Sequence, residues 1–254
     1  MRFSAPIGIA ASLILCAFQA DAANECAVKS GAYTTPLLEL YTSEGCSSCP
    51  PADEWLSGLK GKNLNVTALA FHVDYWDYIG WKDHFAMLAY SERQRKTAAL
   101  NGSSFVYTPQ FVFNGRDFRS WGDARLQTLL DRSQQQPARA DLSLRMIRQA
   151  DGGTMLWANA QMAAADTQPA DVYVVIFENG LSSKIQAGEN NGRILRHDYV
   201  VRQLLGAYPL AQVAMNKGFT LSPEWEKRDA GAVIFVQNRT SGEIIQSLQL
   251  RFCH

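Results

Sequence analysis

The sequence has no excess of charge of either sign: 24 lysines and arginines stand against 24 aspartates and glutamates. No basic run occurs anywhere, and a nucleic-acid binder would normally carry a basic excess or stripe, so the charge argues against that class. Charged residues make up only 19% of the chain and hydrophobic ones 47%, the balance of a globular protein and not of a disordered one. Glycine-rich phosphate loops, nucleophile elbows and metalloprotease motifs are missing, as are internal repeats and low-complexity tracts. Beyond Phe18 no apolar run approaches the ~20 residues that cross a bilayer as a helix. Cysteine and histidine are scarce, at five and four, so each one present carries weight.

What is there begins with an export signal. Arg2 supplies a positive start, residues 7–18 an apolar stretch, and Ala20-Asp21-Ala22 a small-residue cleavage site. Residues 1–22 therefore read as a signal peptide, and Leu15 opposes a lipidated Cys16. Cleavage predicts a periplasmic or secreted protein with no remaining membrane span. In such an oxidising compartment cysteines are read first as disulfides. Four are left: Cys26, Cys46, Cys49 and Cys253. Cys46 and Cys49 are neighbours, so elimination pairs Cys26 with Cys253 as a structural disulfide near the two ends of the mature chain.

Along the chain, residues 36–42, 65–73 and 110–115 read as strands. Residues 52–59, 85–100 and 123–133 read as helices. Within these, Arg93 and Arg95 are expected on a solvated helix face. Residues 134–137 read as a linker. Past it the pattern changes to short strands at 142–146, 155–162, 172–177, 232–236 and 244–252, with Asn191-Gly192 as a hairpin turn. The alternating β and α order up to residue 136 suits one α/β layered domain. The short strands over 137–254 suit a β-sandwich-like domain.

The chemistry centres on Cys46-Ser47-Ser48-Cys49, between a strand and a helix. Thiol–disulfide exchange needs a nucleophilic thiolate and a second thiol to resolve the mixed disulfide. Cys46, facing the helix start, is the expected nucleophile and Cys49 the resolving thiol. A zinc site would need two further ligands at matching spacing. His72, His84, His197 and His254 form no such pattern, so no metal and no cofactor is expected. Tyr107-Thr108-Pro109 precedes a strand, where thioredoxin-like domains place a cis-proline facing the cysteine pair. Thr108 and Pro109 are then expected to hold a substrate backbone as an added strand. Trp76, in an aromatic cluster with Tyr75, Tyr78 and Trp81, is a further substrate-contact candidate. His72 and Asp74, two apart on one strand face, are candidates to shuttle a proton for Cys49 or line a substrate cleft behind the pair, or to form a plain structural hydrogen-bond pair.

Residues 38–53, LELYTSEGCSSCPPAD, resemble the motif of a family of secreted bacterial proteins described as a domain of unknown function with a thioredoxin-like fold. Phe71-His72-Val73-Asp74-Tyr75-Trp76, Val106-Tyr107-Thr108-Pro109-Gln110 and the stretch from Gly192-Arg193 through His197 to Arg202 resemble it too. The resemblance spans nearly all of the mature chain and implies a fold and a location, but no reaction. The expected architecture is an α/β thioredoxin-like domain at 23–136, followed by an all-β sandwich-like domain at 137–254. The expected function is thiol–disulfide exchange with exported protein thiols or disulfides and a further redox partner. The alternative is a non-enzymatic binding module with a structural disulfide or a Cu(I)-binding dithiol. Pro50-Pro51 removes N–H groups from the helix start, and Pro50 disfavours helical geometry at Cys49. Glu44 and Asp53 are the nearest charges and oppose a thiolate, so only a modestly lowered Cys46 pKa is expected. Arg193, Arg196, His197 and Arg202 read as ordinary surface charge, with an anion-binding patch on the second domain as the alternative.

Overall fold

The structure, a computed structural model, describes residues 25–122, 124–149, 151–210 and 214–253, with the side chains of residues 226 and 227 left aside. The expected signal peptide and Cys16 lie outside the described residues. The chain opens with β1 (Glu25–Lys29) and β2 (Leu37–Thr42), then α1 (Pro50–Ser57), β3 (Thr67–His72) and α2 (Leu88–Leu100). β4 (Gln110–Phe113), β5 (Arg116–Asp117) and α3 (Arg125–Ser133) follow. From there the chain is all strand and loop apart from one 3-10 turn: β6 (Ala140–Arg148), β7 (Thr154–Met162), β8 (Ala170–Glu178), β9 (Leu181–Lys184) and β10 (Ile194–His197). It ends with β11 (Val200–Leu210), β12 (Met215–Leu221), β13 (Ala230–Asn238) and β14 (Ile244–Arg251). No helix among the described residues is long and apolar enough to cross a membrane.

The expected fold class is corrected by this arrangement. An α/β thioredoxin-like domain followed by an all-β sandwich-like domain is not what forms. The chain is mostly β, with three α-helices among the described residues. Strands from both halves of the sequence build one eight-stranded sheet in the order β14-β13-β8-β11-β3-β2-β4-β5. The join is the parallel pairing of β11 with β3 at Val200 and Ala70, where the Ala70 N–H donates to the Tyr199 carbonyl at 2.8 Å. The physical reason is that local hydrophobic pattern identifies strands but not the edges on which they pair.

The burial pattern explains why the sheet can be shared. All nine residues of β8 and of β13 are buried, as expected of strands covered on both faces. Side chains alternate: Val172, Val174 and Ile176 enter one core, while Tyr173, Val175 and Phe177 enter the other. The first core packs beneath α1 and α3 with Leu38, Leu40, Leu56, Phe111 and Leu130. The second lies against a four-stranded sheet ordered β1-β6-β7-β12. Its β6 alternates buried and exposed positions, because only one of its faces is covered.

Helix α2 departs from the expected helix 85–100. It begins at Leu88, and its buried residues are Tyr90, Ser91, Arg93, Gln94, Thr97 and Ala98, whereas Leu88 is exposed. Arg93, expected in solvent, is buried. Its Nε donates to Glu39 Oε1 at 2.7 Å, and its guanidinium lies over the rings of Phe71, Tyr173 and Phe235. A buried carboxylate on β2 needs a partner, and Arg93 supplies it; this fixes α2 against the sheet.

Candidate functional site

Cys46 and Cys49 are joined in a disulfide, and both are fully buried. Backbone turns build the segment: the Cys46 N–H donates to the Ser43 carbonyl, and the Cys49 N–H to the Cys46 carbonyl, each at 3.2 Å. Cys49 caps α1 in right-handed helical geometry despite the following proline. The helix itself starts at Pro50, whose missing N–H would have had no partner in the first turn anyway. Gly45 permits close approach of the 74–83 loop, since a Cβ there would lie 3.1 Å from Trp76 Cβ.

The cover over this pair comes from the turn between β9 and β10. Asn190 Nδ2 donates to the carbonyls of Glu44 at 2.9 Å and Cys46 at 3.0 Å. Glu189 Oε2 accepts from the Ser47 N–H at 3.1 Å. Neither residue stood out in the sequence, where Asn191-Gly192 read only as a turn.

The Thr108–Pro109 peptide is cis, as the sequence led us to expect. Trp76 Nε1 donates to Thr108 Oγ1 at 2.7 Å, so two of the expected substrate contacts are tied together. Pro109 also lines a groove of about 370 Å³ with Phe105, Tyr107, Phe111, Phe118 and Trp121. Cys26 and Cys253 form the second disulfide, closing a sequence separation of 227 residues.

His72 and Asp74 are not brought together. Asp74 accepts from Ser91 Oγ on α2, while His72 Nδ1 lies 2.7 Å from Asp83 Oδ2. Asp83 is also held by the N–H groups of Glu44 and Phe85, each at 2.9 Å. Burial alone would raise the Asp83 pKa, but the His72 charge and bond and these N–H groups outweigh it and lower it.

His197, read as surface charge, sits instead in the interior between two carboxylates. Its Nδ1 lies 3.4 Å from Asp53 Oδ1 and its Nε2 3.4 Å from Glu44 Oε1. Burial would depress its pKa, yet the bonds and charges of Asp53 and Glu44 raise it to about 10. Glu44 is lowered in turn: burial would raise it, and His197, Ser183 and Trp81 outweigh that. Trp81 Nε1 donates to Glu44 Oε2 at 2.8 Å, and Thr42 Oγ1 to Asp53 Oδ2 at 2.7 Å. The ring centres of His72 and His197 are 4.9 Å apart, edge to face. Glu44 and Asp53, which in the sequence opposed a thiolate, thus belong to a buried acid–imidazole cluster. One signal for His197 was available: in Ile194-Leu195-Arg196-His197 it alternates in phase with Leu195, and both are buried.

These features define a β-rich protein carrying a buried Cys-x-x-Cys disulfide beside a cluster of carboxylates and imidazoles. The chain belongs to the family described as protein of unknown function (DUF1223), whose model matches residues 37–237. Protein AGR_C_4864 from Agrobacterium tumefaciens, a crystal structure, is similar to it at 27% identity and a TM-score of 0.67, over 87% of this chain and 96% of that one. HBP35 of Porphyromonas gingivalis aligns with a TM-score of 0.62 over 87% of this chain and 76% of that one; at 16% identity it bears on the fold alone. No curated protein matches the chain.

Proposed function

We propose that the protein is an exported thiol–disulfide oxidoreductase acting on thiols or disulfides of other exported proteins. The observation that carries this reading is the bonded Cys46–Cys49 pair at the mouth of α1. In the reduced form the Cys46 thiolate attacks a substrate disulfide, forms a mixed disulfide and releases one substrate thiolate. Cys49 then attacks the Cys46 sulfur, which restores the Cys46–Cys49 bond and releases the second substrate thiol. The protein is oxidised by two electrons and the substrate reduced; the reverse sequence oxidises a substrate dithiol. A second exported dithiol or disulfide resets the pair. The cis Thr108–Pro109 step, tethered to Trp76, and the largely aromatic groove beside Pro109, lined also by Arg119, support a role in holding substrate.

Full burial of both cysteines favours a second reading, a structural disulfide in a non-enzymatic binding module. Trapping separates the two. Exported Cys49→Ala protein should accumulate mixed disulfides through Cys46 that Cys46→Ser abolishes. No trapped partner, together with a reduction potential below about −300 mV, would favour the structural bond.

A further inference from the structure

We propose that Asp53, His72 and His197 form a binding site for a divalent first-row transition metal, held by two imidazoles and one carboxylate. This stands independently of the thiol–disulfide reading. The three residues come from α1, β3 and β10, all are buried, and their ligating atoms lie within 4.8 Å of one another.

Two of the three residues are oriented as ligands, and a metal bound at His197 would displace the proton that Asp53 and Glu44 hold there. An ionised Asp83 only accepts hydrogen bonds, so His72 Nδ1 carries the proton toward it. The opposite nitrogen, Nε2, is buried with no hydrogen-bond partner. Thr42 Oγ1 occupies Asp53 Oδ2 and leaves Oδ1 facing His197. On the far side of the His197 ring, Glu44 Oε1 stands opposite Nε2. Asp83 and Thr42 therefore stand where outer partners fix the direction of metal ligands, while Glu44 Oε1 approaches His197 Nε2 at 3.4 Å without a hydrogen bond.

One of the three spacings has the same meaning. Charged hydrogen bonds run at about 2.7–2.9 Å, but His197 Nδ1 and Asp53 Oδ1 are 3.4 Å apart. Two ligands bonded at about 2.0–2.1 Å to one tetrahedral ion are separated by about 3.4 Å. Charge agrees in sign: three buried carboxylates, Glu44, Asp53 and Asp83, face the two imidazoles, and a bound dication would offset part of their negative charge. A set of imidazole and carboxylate donors suits zinc or iron(II) better than soft Cu(I) or hard Ca²⁺. Three protein ligands leave a position open for water or a small molecule.

The test uses the full oxidised protein, treated with chelator and titrated with Co²⁺ and then Zn²⁺. One equivalent of Co²⁺ should bind with visible d–d absorption and no near-ultraviolet thiolate band, and Zn²⁺ should displace it. His72→Gln should weaken binding by roughly 100-fold or more, and Asp83→Asn by about 10–100-fold, with circular dichroism checking the fold. Wild-type protein that takes up no Co²⁺ at micromolar concentration overturns the proposal, whatever the variants do. So does binding that shows a thiolate band or disappears in Cys46→Ser/Cys49→Ser.

Discussion

Opening of the cover over Cys46–Cys49 should control how fast that disulfide is reduced. Neither cysteine has exposed surface, so a small thiol reaches the bond only after local opening. The Asn190 side chain holds the segment by two hydrogen bonds, to the carbonyls of Glu44 and Cys46. Each is worth about 0.5–1.5 kcal/mol net, so Asn190→Ala should lower the opening free energy by about 1–3 kcal/mol. At about 1.4 kcal/mol per factor of ten, the reduction rate should rise roughly 5- to 150-fold when opening is fast compared with attack. The Glu189 contact is more exposed, and Glu189→Gln should change the rate by only about twofold. The assay is reduction of oxidised protein by dithiothreitol well below the melting transition, with thiols alkylated and counted by mass spectrometry. The Cys26–Cys253 bond is the internal control. An unchanged Asn190→Ala rate refutes the reasoning. Equal acceleration at both disulfides also refutes it, because that reports global unfolding.

Three further outcomes follow from the fold. Arg93→Met strands the buried Glu39 carboxylate and should cost about 3–5 kcal/mol, with most of the loss recovered in Arg93→Met/Glu39→Leu; urea unfolding of the single and double variants checks this. Cys26→Ala/Cys253→Ala removes a bond across 227 residues and should cost about 5 kcal/mol in the chain-entropy model, read the same way. Burial would raise the Asp229 pKa, but Lys60, Arg251 and Asn179 outweigh it and lower it to about 2. Its folded value is thus depressed, so its stabilisation is present above pH ~4 and lost as pH falls through about 2. With its side chain 37% exposed, screening limits this to about 1 kcal/mol or less. Melting curves between pH 2 and 5 should therefore be slightly flatter for Asp229→Asn.

The strands were legible where they are continuous apolar runs. β2, β3, β8, β13 and β14 all fall within a few residues of the expected spans, because burial on one or both faces leaves a run or an alternation. β11 was not legible. Its ladder with β8 is broken by register shifts between Val201 and Gln203 and between Leu205 and Tyr208, which destroy the period of two on which strand recognition depends. Missing β11 also hid the join between β8 and β3, and with it the single large sheet. The cysteine pair and the cis-proline were legible because both are short local motifs. Asp83 and Asn190 were not, and His197 only through its phase with Leu195, since a buried polar side chain reads in sequence like a surface one. Only contacts between distant segments decide which it is.

Asp53 shows what that difference is worth. Read in the sequence, it is an acid in the first turn of α1, where an exposed carboxylate interacts with the helix dipole for about 0.3–1 kcal/mol. In the structure the residue is 6% exposed, accepts from Thr42 Oγ1 at 2.7 Å and faces His197 Nδ1 at 3.4 Å. Asp53→Ala would leave a buried hydroxyl and a buried imidazole without that carboxylate. A hydrogen bond to a charged group contributes about 1.5–3 kcal/mol, so the loss should be about 3 kcal/mol, well above the helix-dipole figure. Unfolding measured in chelator isolates this contribution from any metal. A cost of about 0.5 kcal/mol would return Asp53 to the role of a surface helix-start acid. It would also remove the carboxylate on which the buried cluster, and the metal site drawn from it, depends.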